Sequence, residues 1–301
     1  MMALDVRPSP LAGRWYDADP DLLARSVDGY LDSAQLPELE GDVIAVIAPH
    51  AGHIYSGAVA GYAFAALRAL RHGFADQGSP DLVAVIGPMH HPYVEPLITT
   101  AYEAYSTPLG EIPVDQGALH KLDVLLKSDL GFGLSPVQHD PEHSLEIELP
   151  FLQRTLSSNW KLLPVMVRAR EPRVSQGLGK ALAQVLRDKN YVMVASTDLS
   201  HFYSQQTALT YDRAMLNAIE SLDPEEAFDL ERAGKGFACG LGAFTAVMWA
   251  ARELGADKVK VLHHATSGNV TGDYSSVVGY GAAAILKTTS PDESAGRFAE
   301  S

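Results

Sequence analysis

Three short apolar runs constrain the fold of this chain more than any other feature. They are Asp42–Ala48 (DVIAVIA), Asp81–Gly87 (DLVAVIG) and Tyr191–Thr197 (YVMVAST). Each is apolar at nearly every position, without the two-residue alternation of a strand that has one wet face. Their length and β-branched content suit strands, and strands of this kind are buried on both faces. Amphipathic segments separate them, with helices predicted over Gly57–Arg71, Val114–Lys127, His143–Ser157, Val174–Arg187, Ala208–Ser221, Pro224–Ala233 and Gly240–Leu254. Further strands are predicted over Glu95–Ala101, Trp160–Val167, Lys258–Ala265 and Ser276–Leu286, with Pro164 pointing to an edge or a bulge. This alternation predicts a single α/β domain over residues 1–287, its central sheet mostly parallel or mixed and flanked by helices on both faces. A polar C-terminal tail, residues 288–301, is expected to fray.

Open α/β sheets bind ligands beyond the carboxyl ends of their strands. Here those ends share a residue type. The first run leads into Pro49-His50, the second into Pro88-Met89-His90-His91, and the third into Asp198-Leu199-Ser200-His201. Eleven histidines scattered at random would seldom produce this. Imidazole is the commonest metal-ligating side chain and serves equally as a general acid or base. Any one of these residues alone also reads as an ordinary hydrogen-bonded loop histidine, and it is their clustering at one sheet edge that points to a site.

The single cysteine, Cys239, rules out an intramolecular disulfide. It sits just before the predicted helix Gly240–Leu254, where a helix N-terminus favours thiolate and lowers the thiol pKa. A thiolate there is a soft ligand for zinc, iron or copper. The alternative reading is a small buried hydrophobe. Asp140-Pro141-Glu142-His143-Ser144-Leu145-Glu146 reads either as an acidic helix start or as a segment that aims His143 into the pocket, with a carboxylate orienting it. His263 and His264 lie in a strand and face opposite ways, so at most one could join the site.

Several classes are disfavoured. With 23 basic against 37 acidic side chains, the net charge is −14, contrary to sequence-independent nucleic-acid binding. The chain has no P-loop, dinucleotide fingerprint, His-Glu-x-x-His, Cys-x-x-Cys or Gly-x-Ser-x-Gly. No apolar run is long enough to span a membrane, and Met1–Pro10 has no apolar stretch behind a basic patch, so the expected location is cytoplasmic.

These stretches, taken together, resemble the Memo-like family. The similarity runs through Leu11–Tyr16 (LAGRWY), Ile47–Gly52 (IAPHAG) with Tyr55–Gly57, Ile86–His91 (IGPMHH), Glu142–Glu146 (EHSLE), Ser196–His201 (STDLSH), Cys239-Gly240 and Asp273–Val278 (DYSSVV). The family's fold is similar to that of class III extradiol dioxygenases, which hold ferrous iron on two histidines and a carboxylate. The resemblance implies metal ligands at His50, His90 and Cys239, with His201 as a pocket acid/base, Asp198 beside it and His143 as a second pocket histidine. It implies Fe(II), with Cu or Zn as alternatives, and a non-haem iron-dependent dioxygenase or redox enzyme acting on a small aromatic substrate, such as a catechol. Thiolate in place of carboxylate sets this chain apart from true extradiol enzymes. Two other readings follow: a metal- or partner-binding protein without turnover, and a zinc hydrolase. Prokaryotic members also resemble the B component of a gene set that includes a radical-SAM protein, which implies a functional link. Animal members are linked to phosphotyrosine-peptide binding, but this sequence offers no evident Arg cluster for it.

Overall fold

A computed structural model describes residues 4–73, 79–157 and 159–288. Apart from Thr288, the expected polar tail lies outside the described residues. In chain order, β1 (Val6–Arg7) and α1 (Pro20–Ser33) precede β2 (Asp42–Ala48). Then come α2 (His53–Gly73), β3 (Leu82–Pro88), β4 (Leu97–Thr100), β5 (Ala104–Thr107) and β6 (Gly110–Pro113). Next are α3 (Gln116–Leu130), β7 (Ser135–Val137), a 3₁₀ turn at Glu146–Glu148, α4 (Leu149–Thr155) and β8 (Lys161–Val167). The chain continues through α5 (Pro172–Leu186), β9 (Tyr191–Ser196), β10 (His201–Tyr203), α6 (Gln205–Glu220) and α7 (Pro224–Arg232). It finishes with α8 (Leu241–Glu253), β11 (Lys258–Thr266), α9 (Gly268–Thr271) and β12 (Val277–Lys287).

The main sheet runs in the order β10-β12-β2-β9-β3-β8-β4-β7, and β11 also pairs with β12. Its centre, β2-β9-β3-β8, is parallel, whereas β12 joins β2 and β4 joins β8 in the antiparallel sense. The result is the expected single α/β domain with a mixed sheet. The central strands are buried along almost their whole length, as apolar runs between two helical layers must be. Helix α2, with α1 and α4, covers β2 and β12, while α8 packs on β9 and β3 and is backed by α5 and α7. Beside this body, β1, β5 and β6 form a small three-stranded sheet. Among the described residues no helix is long and apolar enough to cross a membrane.

Three local expectations need correcting. No helix spans His143–Ser157. Residues 142–145 are irregular, because the Glu142 carboxylate accepts from the backbone N–H groups of His143 and Ser144, a local alternative to helical bonding. The α-helix begins only at Leu149, with Pro150 in its first turn. Second, β8 is interior, not an edge strand. Pro164 is tolerated because β4 pairs only with Met166 and Val167, and the Pro164 carbonyl takes the Thr99 hydroxyl instead. Third, the structure adds α1 to the predicted helices, and its signals are present in the sequence. Asp19 caps the N–H groups of Asp21 and Leu22, Pro20 opens the first turn, and Leu23, Val27 and Leu31 bury at four-residue spacing.

Candidate metal centre

Strands β2, β9 and β3 are adjacent, parallel and closely registered, with Ala48 opposite Ser196 and Ile86 opposite Ala195. Their carboxyl ends therefore emerge together, and His50, Asp198 and His90 meet at one edge. His143 reaches the same place from the irregular segment before α4. One ring nitrogen from each of His50, His90 and His143 lies within 4.8 Å of the others. The rings of His90 and His143 stack at 4.5 Å, and His50 stands nearly perpendicular to both.

Each imidazole is held through Nδ1. His50 Nδ1 is 2.8 Å from Ser196 Oγ, and His90 Nδ1 donates to Glu142 Oε1 at 2.9 Å. His143 Nδ1 lies 3.3 Å from the same carboxylate oxygen. Glu142 also accepts the backbone N–H groups of His90, His143 and Ser144. Of the two readings of the Asp140–Glu146 segment, the helix start is not what the structure shows, whereas the Glu142 carboxylate does lie against His143. Arg7 fastens this segment from below. Its guanidinium pairs with Asp140 and Glu146 and donates to the carbonyls of Asp140 and Glu142, all of it buried.

Cys239 lies outside the trio. Its Sγ is 3.0 Å from His50 Nε2 and accepts the Asp198 N–H at 3.2 Å. Gly240 makes this approach feasible. A Cβ there would lie 2.5 Å from the Ser196 carbonyl oxygen and 2.7 Å from Thr197 Cβ. The expected lowering of the thiol pKa is not what the site produces. Burial pushes the Cys239 thiol up, and the Asp198 carboxylate pushes it further, outweighing the nearby backbone donors. Without a cation the sulfur is a thiol. A bound metal would reverse this, because a coordinating thiol loses its proton outright.

A cavity of about 420 Å³ opens onto the histidines. Trp15, Tyr55, His201, Asp198 and Tyr280 line it together with His50, His90 and His143. His201 Nδ1–H donates to the Leu199 carbonyl at 2.8 Å, which leaves Nε2 as a free base. Burial holds the pKa of His201 below its ordinary value and that of His50 well below, the neighbouring histidines adding to both effects, and burial pushes His143 down to about 4. All three imidazoles are neutral near pH 7, as ligands and bases must be. Burial raises Glu142 as well, but the hydrogen bonds it accepts, the His90 side chain's foremost, overcome it and hold the carboxyl well below the usual range. Asp198, which accepts the His50 N–H at 2.8 Å, is pushed up by burial to about 7. His263 and His264 take no part: the first stacks on Tyr62, and the second donates to the buried Asp212.

The sequence reading missed three residues that shape the site: Arg7, Ser196 and Glu148. Arg7 carries no signal beyond a lone arginine in a short strand. Ser196 lies in the STDLSH motif, but only the fold reveals its contact with His50.

The donor set fits a metal ion. Nitrogens bound to an ion at about 2.1 Å sit no more than about 4.2 Å apart, so the trio needs only slight contraction. The fold and site define an α/β protein with a histidine-rich, metal-ligand-type pocket at the carboxyl edge of its sheet. The family model described as "Memo-like protein" matches residues 7–284, and the chain belongs to the Memo-like family. A MEMO1 family protein of Nitrosopumilus maritimus is 32% identical over 282 residues, covering 92% of this chain and 98% of that one. One from Thermotoga neapolitana is 33% identical over 285 residues, covering 91% and 98% respectively. Among solved structures, an uncharacterized protein of Escherichia coli K12 superposes with a TM-score of 0.46 at 14% identity, over 80% of this chain and 99% of that one, a loose likeness that says nothing of function.

Proposed function

We propose that this protein binds one transition-metal ion on Nε2 of His50 and His90, with Cys239 Sγ as third ligand and His143 as the further donor facing the same point. Fe(II) is the metal we assign, and Cu and Zn are the alternatives that metal analysis distinguishes. The observation that carries the reading is the common arrangement of the imidazoles. His50 and His90 are anchored at Nδ1 by a hydroxyl and a carboxylate, the outer contacts that metal-ligating histidines make, and His143 leans on the same carboxylate.

We further propose that the pocket acts on a small, catechol-like substrate. A bound metal would supply an electrophilic point for a substrate oxygen. His201, neutral and with Nε2 free, takes a hydroxyl proton from the substrate. Asp198, poised near neutrality, keeps a second proton within the site. The Trp15, Tyr55 and Tyr280 rings give the cavity an apolar wall. A non-catalytic binding role is the second reading, favoured by Ile54 and Tyr55, which line the cavity and are exposed.

Metal analysis of anaerobically prepared wild type and Cys239→Ser tests the ligand set. Equal metal content in both removes Cys239 from it, and no metal in either removes the reading. Oxygen uptake with a catechol panel, lost in His201→Ala, supports turnover, and none with wild type favours the binder.

A further inference from the structure

Glu148 is buried, does not line the histidine cavity, and has no part in the proposed chemistry. It lies at the end of the 3₁₀ turn before α4, with its Oε1 2.7 Å from Ser196 Oγ. The same Ser196 oxygen is 2.6 Å from the Ser144 carbonyl and 2.8 Å from His50 Nδ1. A serine hydroxyl has one hydrogen and two lone pairs. The Ser144 carbonyl can only accept, so a contact of 2.6 Å with it commits the Ser196 hydrogen there. The two remaining partners must then both donate: His50 through Nδ1–H, and Glu148 through a carboxylic O–H.

The alternative fails on the same count. An ionised Glu148 would take the Ser196 hydrogen and leave two bare oxygens, of Ser196 and Ser144, facing each other at 2.6 Å. It would also bury a charge whose second oxygen, Oε2, has no hydrogen-bond partner. An uncompensated buried carboxylate is far more costly than a neutral acid.

We propose that Glu148 is a protonated positioning residue: its carboxylic O–H donates to Ser196, which leaves the Ser196 hydrogen to the Ser144 carbonyl and holds the hydroxyl in place as acceptor of His50 Nδ1–H, with the Nε2 lone pair turned into the site. Burial and the neighbouring Asp198 carboxylate both push the Glu148 pKa well above its ordinary value, in agreement with the hydrogen-bond count. The groups bearing on this proton are Ser196, with His50 behind it, and Asp198. The hydrogen-bond assignment holds in metal-free protein. Only its effect on metal affinity rests on the function proposed above.

The test uses metal-free, full-length protein at a pH well above 7, where Asp198 has lost its proton. Infrared difference spectroscopy of wild type against Glu148→Gln is expected to show one carboxylic-acid C=O band present only in wild type. No such band overturns the proposal. Long-range ¹H–¹⁵N spectra of the histidine rings are expected to show His50 protonated at Nδ1 in wild type and in Glu148→Gln, whose amide also donates. Glu148→Leu leaves the Ser144 carbonyl as acceptor of the Ser196 hydrogen and is expected to keep that tautomer, whereas a His50 protonated only at Nε2 in wild type overturns the hydrogen-bond assignment and the proposal with it. If the leucine variant fails to fold, the infrared comparison and the wild-type tautomer decide. Co(II) titration adds the functional arm, in which Glu148→Leu weakens binding about tenfold or more and Glu148→Gln stays within a few fold of wild type. Failure of wild type to bind any metal sinks the metal reading and leaves the infrared and tautomer results to judge Glu148.

Discussion

Replacing Glu142 by glutamine probes the architecture of the site most directly. The wild-type carboxylate takes His90 Nδ1–H and the N–H groups of His143 and Ser144 on Oε1, each at 2.9 Å. It takes the His90 N–H on Oε2 at 2.6 Å. An amide has only one oxygen. If that oxygen keeps the three donors at the Oε1 position, the NH₂ group confronts the His90 N–H, donor against donor. One charge-assisted bond is lost, worth about 1.5–3 kcal/mol, and the other three weaken as the charge disappears, for a total of about 2–4 kcal/mol. The same change loosens the His90 ring, and loss of an outer partner weakens metal binding about 10- to 100-fold, or about 1.4–2.7 kcal/mol. Urea unfolding of metal-free protein reads the first quantity, and Co(II) titration reads the second. A stability loss below about 0.5 kcal/mol, the range of an ordinary surface change, together with unaltered metal affinity, would show that Glu142 does not organise the site.

Arg7→Met should destabilise by about 3–5 kcal/mol, because it strands the buried Asp140 and Glu146 carboxylates, and equilibrium unfolding with a loss under 1 kcal/mol would refute the buried cluster. Gly240→Ala places a methyl 2.5 Å from the Ser196 carbonyl, so we expect a cost of about 1–3 kcal/mol in thermal unfolding and displacement of Cys239, read as lost metal content in the folded variant. Burial holds the His53 pKa down to about 4, opposed only by its contact with the Ile147 carbonyl, so this residue folds neutral. Its contribution is whole above the unfolded pKa near 6.5 and falls away between there and about 4, by up to about 3 kcal/mol. A His53→Phe variant should therefore show a flatter stability curve between pH 6.5 and 4, and parallel curves would contradict a buried neutral imidazole.

Much of the architecture was legible from the chain alone, for a simple reason. Runs such as DVIAVIA and YVMVAS can satisfy their backbone and bury every side chain only inside a sheet covered on both faces. The strand ends are as local as the strands, so His50, His90, Asp198 and His201 could be assigned to one sheet edge without coordinates. The capping signals at Asp19 and Pro20 are equally local. The segment after Asp140 was different. Its acidic composition suits a helix start, yet Glu142 spends its carboxylate on His90, 52 residues away, and on the two residues that follow it. No short-range pattern predicts that choice.

The sequence by itself therefore determined the layered fold, the edge on which the chemistry lies and the residue types available there, because periodicity and strand termini are properties of neighbouring residues. Only the tertiary structure decided how those residues behave. It packed Cys239 against His50 and Asp198 and so raised the thiol that a helix N-terminus alone would have lowered. It joined Ser196, Ser144 and Glu148, from β9 and the segment leading into α4, into the contact that orients His50. It buried Arg7 beneath the loop that carries His143. Burial, tautomer and ionisation depend on which groups from distant parts of the chain come within a few ångströms, and that is set only when the sheet and its helices close around them.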